Sequence, residues 1–194
     1  MPLFGGDRTA FVRFLVAYSS LIHSAHILFM RALVVGRFQP LHIGHVRMLE
    51  YAASKATYLI IGVGSCNSAK TPENPFTAEE REEMLKQSLE LKRPYELKRI
   101  PDFGDDVKWS GWIRENLSYD AYMTNSVRER AIMEAAGVNV LPIPFFERDL
   151  YSATEVRRRM LADGDWMSLL PDGTVKVIGT VDGIYRVKKL SNQG

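Results

Sequence analysis

Ten residues, Gly36-Arg37-Phe38-Gln39-Pro40-Leu41-His42-Ile43-Gly44-His45, restrict what this chain can fold into more than any other stretch. The apolar run Leu33-Val34-Val35 leads into them. An amphipathic pattern beginning near Gly44 leads out, with Val46, Leu49 and Ala53 sharing a face at three-to-four spacing. A buried strand, a tight turn and a helix start are compressed into one segment. Free backbone N–H groups and the positive end of a helix dipole converge on such a turn, which makes it a natural seat for a phosphate. Gly44 lets the backbone approach closely, and Gly36 and Phe38 belong to the same turn. His42 and His45, two of the four histidines of the chain, flank Gly44 and can hold phosphate oxygens through their N–H groups. A pair at this spacing can also begin a metal site, but no acidic or cysteine partner stands at ligand spacing.

The rest of the chain repeats the strand–helix alternation. Thr57 to Gly64 is a continuous apolar run of strand length, as in a strand buried on both faces. Ser65 to Phe76 is a polar loop with two prolines. Thr77-Ala78-Glu79-Glu80 reads as a capping box opening a helix that runs to about Leu91, and Pro94 stops it. Tyr95 to Ile100 is a third strand of mixed charge. A short helix carrying Trp109, Trp112 and Ile113 follows, then a brief strand at Ala121–Thr124. Ser126 to Glu129 and Ser152 to Glu155 are two further capping boxes. The first opens a helix ending near Gly137, and a fifth strand is expected over Val138 to Ile143. Pro171 to Leu190 reads as one more helix. The expectation is an α/β doubly wound, Rossmann-like fold with a parallel sheet of about five strands and helices on both faces. Ligands in such folds lie beyond the carboxyl ends of the strands. The turn at Arg37, the loop at Ser65, Asn125 and the helix start at Ser152 all follow strands and can share one crevice.

The 194 residues, 46% hydrophobic and 25% charged, suit one domain with an ample core. A net charge of +2 gives no ground for a nucleic-acid partner. The single cysteine, Cys66, excludes an internal disulfide framework and fits a reducing, cytoplasmic setting. Residues 1–30 are expected to be an N-terminal extension or extra packing helix, ahead of a catalytic domain over 31–194. The apolar run Phe14–Met30 imitates a signal peptide or anchor, but it is shorter than the ~20 residues of a span and His23 and His26 interrupt it. A membrane role is therefore the less favoured reading.

The motif Gly-Arg-Phe-Gln-Pro-x-His-x-Gly-His, with Ser152-x-Thr154-x-x-Arg157 near the C-terminus, resembles the nucleotidylyltransferase superfamily. With Glu73-Asn74-Pro75-Phe76-Thr77-Ala78-Glu79-Glu80-Arg81, Tyr151–Met160, Asp163-Gly164-Asp165-Trp166 and Leu169-Leu170-Pro171, it resembles more closely the archaeal-type nicotinamide-nucleotide adenylyltransferases, over about Arg31 to Leu190. The resemblance implies transfer of the adenylyl group of ATP to nicotinamide mononucleotide, with magnesium on the phosphates, no covalent intermediate, and a homo-oligomer, a hexamer. It implies that His42, His45 and Arg37 meet the phosphates and that Ser152, Thr154 and Arg157 bind the β- and γ-phosphates. It places Trp109 against the nicotinamide ring, with Ser65, Asn125 and Arg81 beside the acceptor. Trp112 competes with Trp109, Arg81 has glutamate neighbours to pair with, and only one of Arg157, Arg158 and Arg159 can point inward. Ala153 stands where relatives often carry glycine, and the loop Ser65–Thr71 departs from the usual wording.

Two other readings remain open. The same chemistry could act on another phosphorylated acceptor, pantetheine phosphate or flavin mononucleotide. A non-catalytic NAD-binding module is the second, although Gly62-Val63-Gly64 lacks the third glycine and helix of a dinucleotide fingerprint.

Overall fold

The structure, a computed structural model, describes residues 29–192. The N-terminal run and most of the expected 1–30 extension therefore lie outside the described residues. Five strands, β1 (Arg31–Gly36), β2 (Tyr58–Val63), β3 (Tyr95–Arg99), β4 (Ala121–Thr124) and β5 (Val140–Pro142), form one sheet in the order β3-β2-β1-β4-β5. All four pairings are parallel, with Leu33 of β1 opposite both Ile60 of β2 and Tyr122 of β4. The order reverses at β1. The chain winds outward to β3 on one side, then returns to place β4 on the other, and the crevice at this switch point lies where β1 and β4 end.

The seven α-helices among the described residues are α1 (Ile43–Lys55), α2 (Ala78–Ser88), α3 (Asp106–Asn116), α4 (Val127–Ala135), α5 (Ala153–Leu161), α6 (Asp172–Thr180) and α7 (Gly183–Ser191). Strand alternation divides the core between the two faces of the sheet. Ala32, Val34, Leu59 and Ile61 turn toward Leu49 and Ala52 of α1, Met84 and Leu85 of α2, and Val156, Ile178 and Val187 of the last three helices. Leu33, Ile60 and Tyr122 turn the other way, onto Ile113 of α3 and Met133 of α4. Each fully buried aliphatic side chain here contributes about 1.5–3 kcal/mol of transfer free energy.

The outer strands explain their own sequences. β3 carries Glu96, Lys98 and Arg99, whose mixed charges suit an edge, where Glu96 pairs with both Arg31 and Lys98. β5 is shorter than expected and contains Pro142, tolerated because the strand is the other edge. Two departures concern helices. The expected helix from Pro171 to Leu190 is two, broken at Val181-Asp182, where Asp182 takes a left-handed φ of 52°. The break brings Gly183 against the core: a Cβ there would stand 2.8 Å from the Phe76 ring and 3.2 Å from the Ile178 carbonyl. Only one of the three expected capping boxes closes in both directions, that of Thr77 and Glu80. Ser126 and Ser152 cap the backbone of Glu129 and Glu155, but these carboxylates find stronger charge-assisted partners, hydroxyls for Glu129 and guanidinia for Glu155.

Candidate active site

The turn after β1 is built from backbone strain and reciprocal hydrogen bonds. Phe38 adopts a left-handed φ of 51°, and its ring is fully buried, edge-on to His45 at 5.0 Å. Gln39 is 2% exposed and holds the next loop from both sides: its Nε2 donates to the Phe76 carbonyl and its Oε1 accepts from the Phe76 N–H.

His42 and His45 then form a capping box made of two imidazoles. The His45 N–H donates to His42 Nδ1 at 3.2 Å, the His42 N–H donates to His45 Nδ1 at 3.4 Å, and the rings stack at 3.5 Å. Gly44 between them is required by closeness, since a Cβ would lie 2.8 Å from Tyr151 Cβ and 3.2 Å from His42 Nδ1. The box decides the tautomer. Both Nδ1 atoms accept, so each neutral ring carries its proton on Nε2. Burial drives the His42 pKa down to about 3. It drives His45 well down too, with the neighbouring His42 adding to the effect. The pair offers two N–H donors without net charge.

Around these rings lies a first cleft of about 350 Å³. Gly36, Arg37, Phe38, Gly44, Ser152, Thr154 and Arg157 line it with the two histidines. Ser152 Oγ accepts from the Glu155 N–H at 3.2 Å as the cap of α5, which leaves its O–H free to donate. Arg157 spends one N–H on the Gln39 carbonyl at 2.7 Å. Its pKa is lowered, first by burial and then by the nearby Arg37 guanidinium, so the two cations face each other across a space that an anion would relieve. Arg158 and Arg159 instead pair with Glu155.

A second cleft of about 460 Å³ opens on the far side of Gly36 and Arg37. Ser65, at a left-handed φ of 47°, and Trp109 line it. Trp112, half-buried like Trp109 and packed against the same core, does not line it, which favours Trp109 as the platform. The Trp109 ring stands edge-on to Tyr122 at 6.4 Å. Carboxylates of Asp102, Asp105, Asp106 and Glu129 share this lining with the guanidinia of Arg37 and Arg128. Asp102 accepts from the Gly104 N–H at 2.9 Å and the Ser65 hydroxyl at 3.1 Å, which hold its pKa below the usual carboxylate range.

Two expected site residues sit elsewhere. Asn125, expected beside the acceptor, lines the first cleft and not the second. Arg81, also expected there, lines neither and is fully buried. Its guanidinium donates to the carbonyls of Thr77, Arg37, Gly64 and Ser65, so it ties together the backbones of the two loops that wall the clefts. Burial lowers its pKa to about 10. The lining residues that sequence reading did not single out are chiefly Asp102, Arg128, Glu129, Phe146 and Tyr151. Arg128 and Glu129 were legible only as part of the capping box at Ser126, and Tyr151 only as the start of the Tyr151–Met160 stretch; Asp102 and Phe146 lie outside the motifs, in loops after strands.

A cytidylyltransferase-like family model matches residues 33–159, the span from β1 to α5 that builds both clefts. The nicotinamide-nucleotide adenylyltransferase of Thermococcus sibiricus is 37% identical over 84% of this chain and 90% of its own length. That of Pyrococcus abyssi is 36% identical over 84% and 89%. The chain belongs to the cytidylyltransferase-like family, in its nicotinamide-nucleotide adenylyltransferase branch. Its fold matches the crystal structure of a bifunctional NMN adenylyltransferase/ADP ribose pyrophosphatase from Francisella tularensis, solved with AMP and a manganese ion. The TM-score is 0.70 at 18% identity, covering 85% of this chain and 53% of that one, so the chain spans about half the length of that protein. Among the described residues no helix is long and apolar enough to cross a membrane.

Proposed function

We propose that the chain transfers the adenylyl group of ATP to nicotinamide mononucleotide, giving NAD and pyrophosphate, by direct in-line attack of the acceptor phosphate on the α-phosphorus. The observation that carries this reading is the pair of Nε2–H donors on His42 and His45, set at a helix start beside Arg37 and Arg157. In this reading the triphosphate occupies the first cleft. Ser152, Thr154 and Arg157 hold its β- and γ-phosphates at the start of α5, where unpaired N–H groups favour anions. The imidazoles and Arg37 stabilise charge as it moves onto the leaving pyrophosphate, and because they are fixed by the capping box they need no reorganisation to do so. The nicotinamide ring lies on Trp109. A cationic ring over an indole face is attractive, and the surplus of carboxylates in the second cleft suits a cation. Arg81 serves by fixing the loops. Adenylyl transfer is then mostly alignment of two bound phosphates.

Magnesium fits this lining as a companion of the triphosphate. Glu129 is the lone carboxylate of the first cleft, and among the described residues no three His, Cys, Asp or Glu side chains gather at one point. Phosphate oxygens held by His42, His45 and Arg157 would carry the ion, which when bound neutralises phosphate charge. A cytoplasmic setting and a homo-oligomer, a hexamer by resemblance, belong to the same proposal.

The test is pyrophosphate release from ATP and magnesium, with nicotinamide mononucleotide supplied or withheld, for the wild type and His45→Ala. Release that requires the mononucleotide, yields NAD and falls about 10²- to 10³-fold in the variant is the expected result. Release only with pantetheine phosphate or flavin mononucleotide would retire the acceptor. Tight NAD binding with no turnover on any acceptor would leave a binding module.

A further inference from the structure

The two clefts share Val35, Gly36, Arg37 and Glu129. The end of a strand and an arginine suit the place where two phosphorylated nucleotides meet. A carboxylate does not, because it repels phosphate, so Glu129 needs a partner of another kind.

Its surroundings show that it is aimed. Glu129 Oε2 accepts from the Tyr122 hydroxyl at 2.8 Å and from Thr124 Oγ1 at 2.9 Å. Thr124 Oγ1 itself accepts from the Ser126 N–H at 3.0 Å, so its proton is committed to Glu129. The Glu129 N–H donates to Ser126 Oγ at 3.3 Å, which fixes the first turn of α4. Both hydroxyls fall on the same oxygen, and no described residue donates to Oε1. Tyr122 is fully buried with its ring edge-on to Trp109, so one side chain braces both the aromatic platform and the carboxylate. Its pKa is pushed well above the usual value by burial and by Glu129, which keeps the hydroxyl a donor.

An acceptor-only group opening on a nucleotide cleft calls for O–H donors, and the vicinal hydroxyls of a ribose are the O–H groups of a nucleotide. With the ring on Trp109 and the phosphate at Arg37, the ribose that joins them runs along the wall containing Glu129. We infer that Glu129 Oε1 accepts a hydrogen bond from a ribose hydroxyl of the acceptor mononucleotide, with Tyr122 and Thr124 as its positioning residues. The identity of the acceptor rests on the adenylyl-transfer reading; the aimed carboxylate does not.

The experiment measures binding of nicotinamide mononucleotide by calorimetry, and the KM of each substrate, for the wild type, Glu129→Ala, Glu129→Gln and Tyr122→Phe. The 2′- and 3′-deoxy forms of the mononucleotide are run beside it. A hydrogen bond to a charged group sets the expected loss in Glu129→Ala at about tenfold or more in mononucleotide affinity. Losses should be smaller in Glu129→Gln and Tyr122→Phe, with the KM for ATP unchanged. One deoxy form should bind more weakly than the parent to the wild type, and no more weakly than the parent to Glu129→Ala.

Undiminished mononucleotide affinity in Glu129→Ala overturns the inference. So does a loss that falls on ATP instead, or a changed magnesium requirement with mononucleotide affinity intact, which would make Glu129 a metal ligand. If Glu129→Ala does not fold, the isosteric Glu129→Gln and Tyr122→Phe decide on the same criteria. A wild type that binds the mononucleotide but forms no dinucleotide sinks the adenylyl-transfer reading alone, and the calorimetric comparison still decides the role of Glu129. A wild type that does not bind the mononucleotide sinks both.

Discussion

The two clefts are separated by one strand end and one arginine, yet they are made of opposite materials. The first is walled by neutral N–H donors, hydroxyls and the guanidinia of Arg37, Arg148 and Arg157, with a single carboxylate. The second has an indole face and four carboxylates against two guanidinia. The first suits a polyanion, which brings its own charge and needs donors held still. The second suits a ligand with a cationic ring at one end and a phosphate at the other, with Arg37 at the phosphate end. The reaction needs both at once, and the contrast means that neither ligand is well matched to the other's place. Selectivity here follows from charge as much as from shape.

Arg157→Ala strikes the first cleft hardest. It should lower kcat/KM for ATP by about 100-fold, the scale of a lost charge-assisted phosphate contact, and leave mononucleotide affinity unchanged. Steady-state kinetics with each substrate varied would check it, and an equal loss on both substrates would erase the division between the clefts. Trp109→Ala addresses the second. Loss of one stacking platform should weaken mononucleotide binding about tenfold, with the KM for ATP unmoved. Calorimetry on the mononucleotide alone measures it.

The smallest effect concerns acid. His42, with a folded pKa of about 3, and His45, also depressed, stay neutral while the unfolded chain takes up protons below about pH 6.5. The unfolded state then binds more protons, so stability falls as pH drops from about 6.5 toward 3 and is flat above. Each histidine costs at most about 1.4 kcal/mol per pH unit. Asp102 of the second cleft has a lowered pKa and keeps its charge through the upper part of that range. Melting temperatures from pH 7.5 to 5 should fall less steeply in His42→Asn than in the wild type. Equal slopes would mean that the histidines titrate normally.

What could be read from the residues follows the range of the forces involved. The turn from Gly36 to His45 and the helix starts at Thr77, Ser126 and Ser152 are local, because caps and dipoles act within one turn, and the structure has them in place. The continuous apolar run of β2 likewise announced a strand buried on both faces. Glu129 was readable as a cap residue, but its hydroxyl partners come from β4, and only packing turns it toward the clefts. Arg81 is the clearest case. One turn into a helix beside glutamates, it looked like a surface cation or a ligand contact. Its partners are carbonyls 4 to 44 residues away. The break at Asp182 escaped because an apolar period continues across it and only close approach at Gly183 forces the bend.

Arg81 also bears on how the protein meets its medium. Dissolved ions screen exposed charges beyond about 8 Å at physiological ionic strength, but they have no access to a guanidinium enclosed in protein. Arg81 is wrapped by four carbonyls, and among the described residues no carboxylate hydrogen-bonds to it. Part of the positive potential at the nucleotide clefts is therefore stored inside their wall. Attraction resting on exposed charges fades as the surroundings grow saltier; the part contributed by Arg81 fades less.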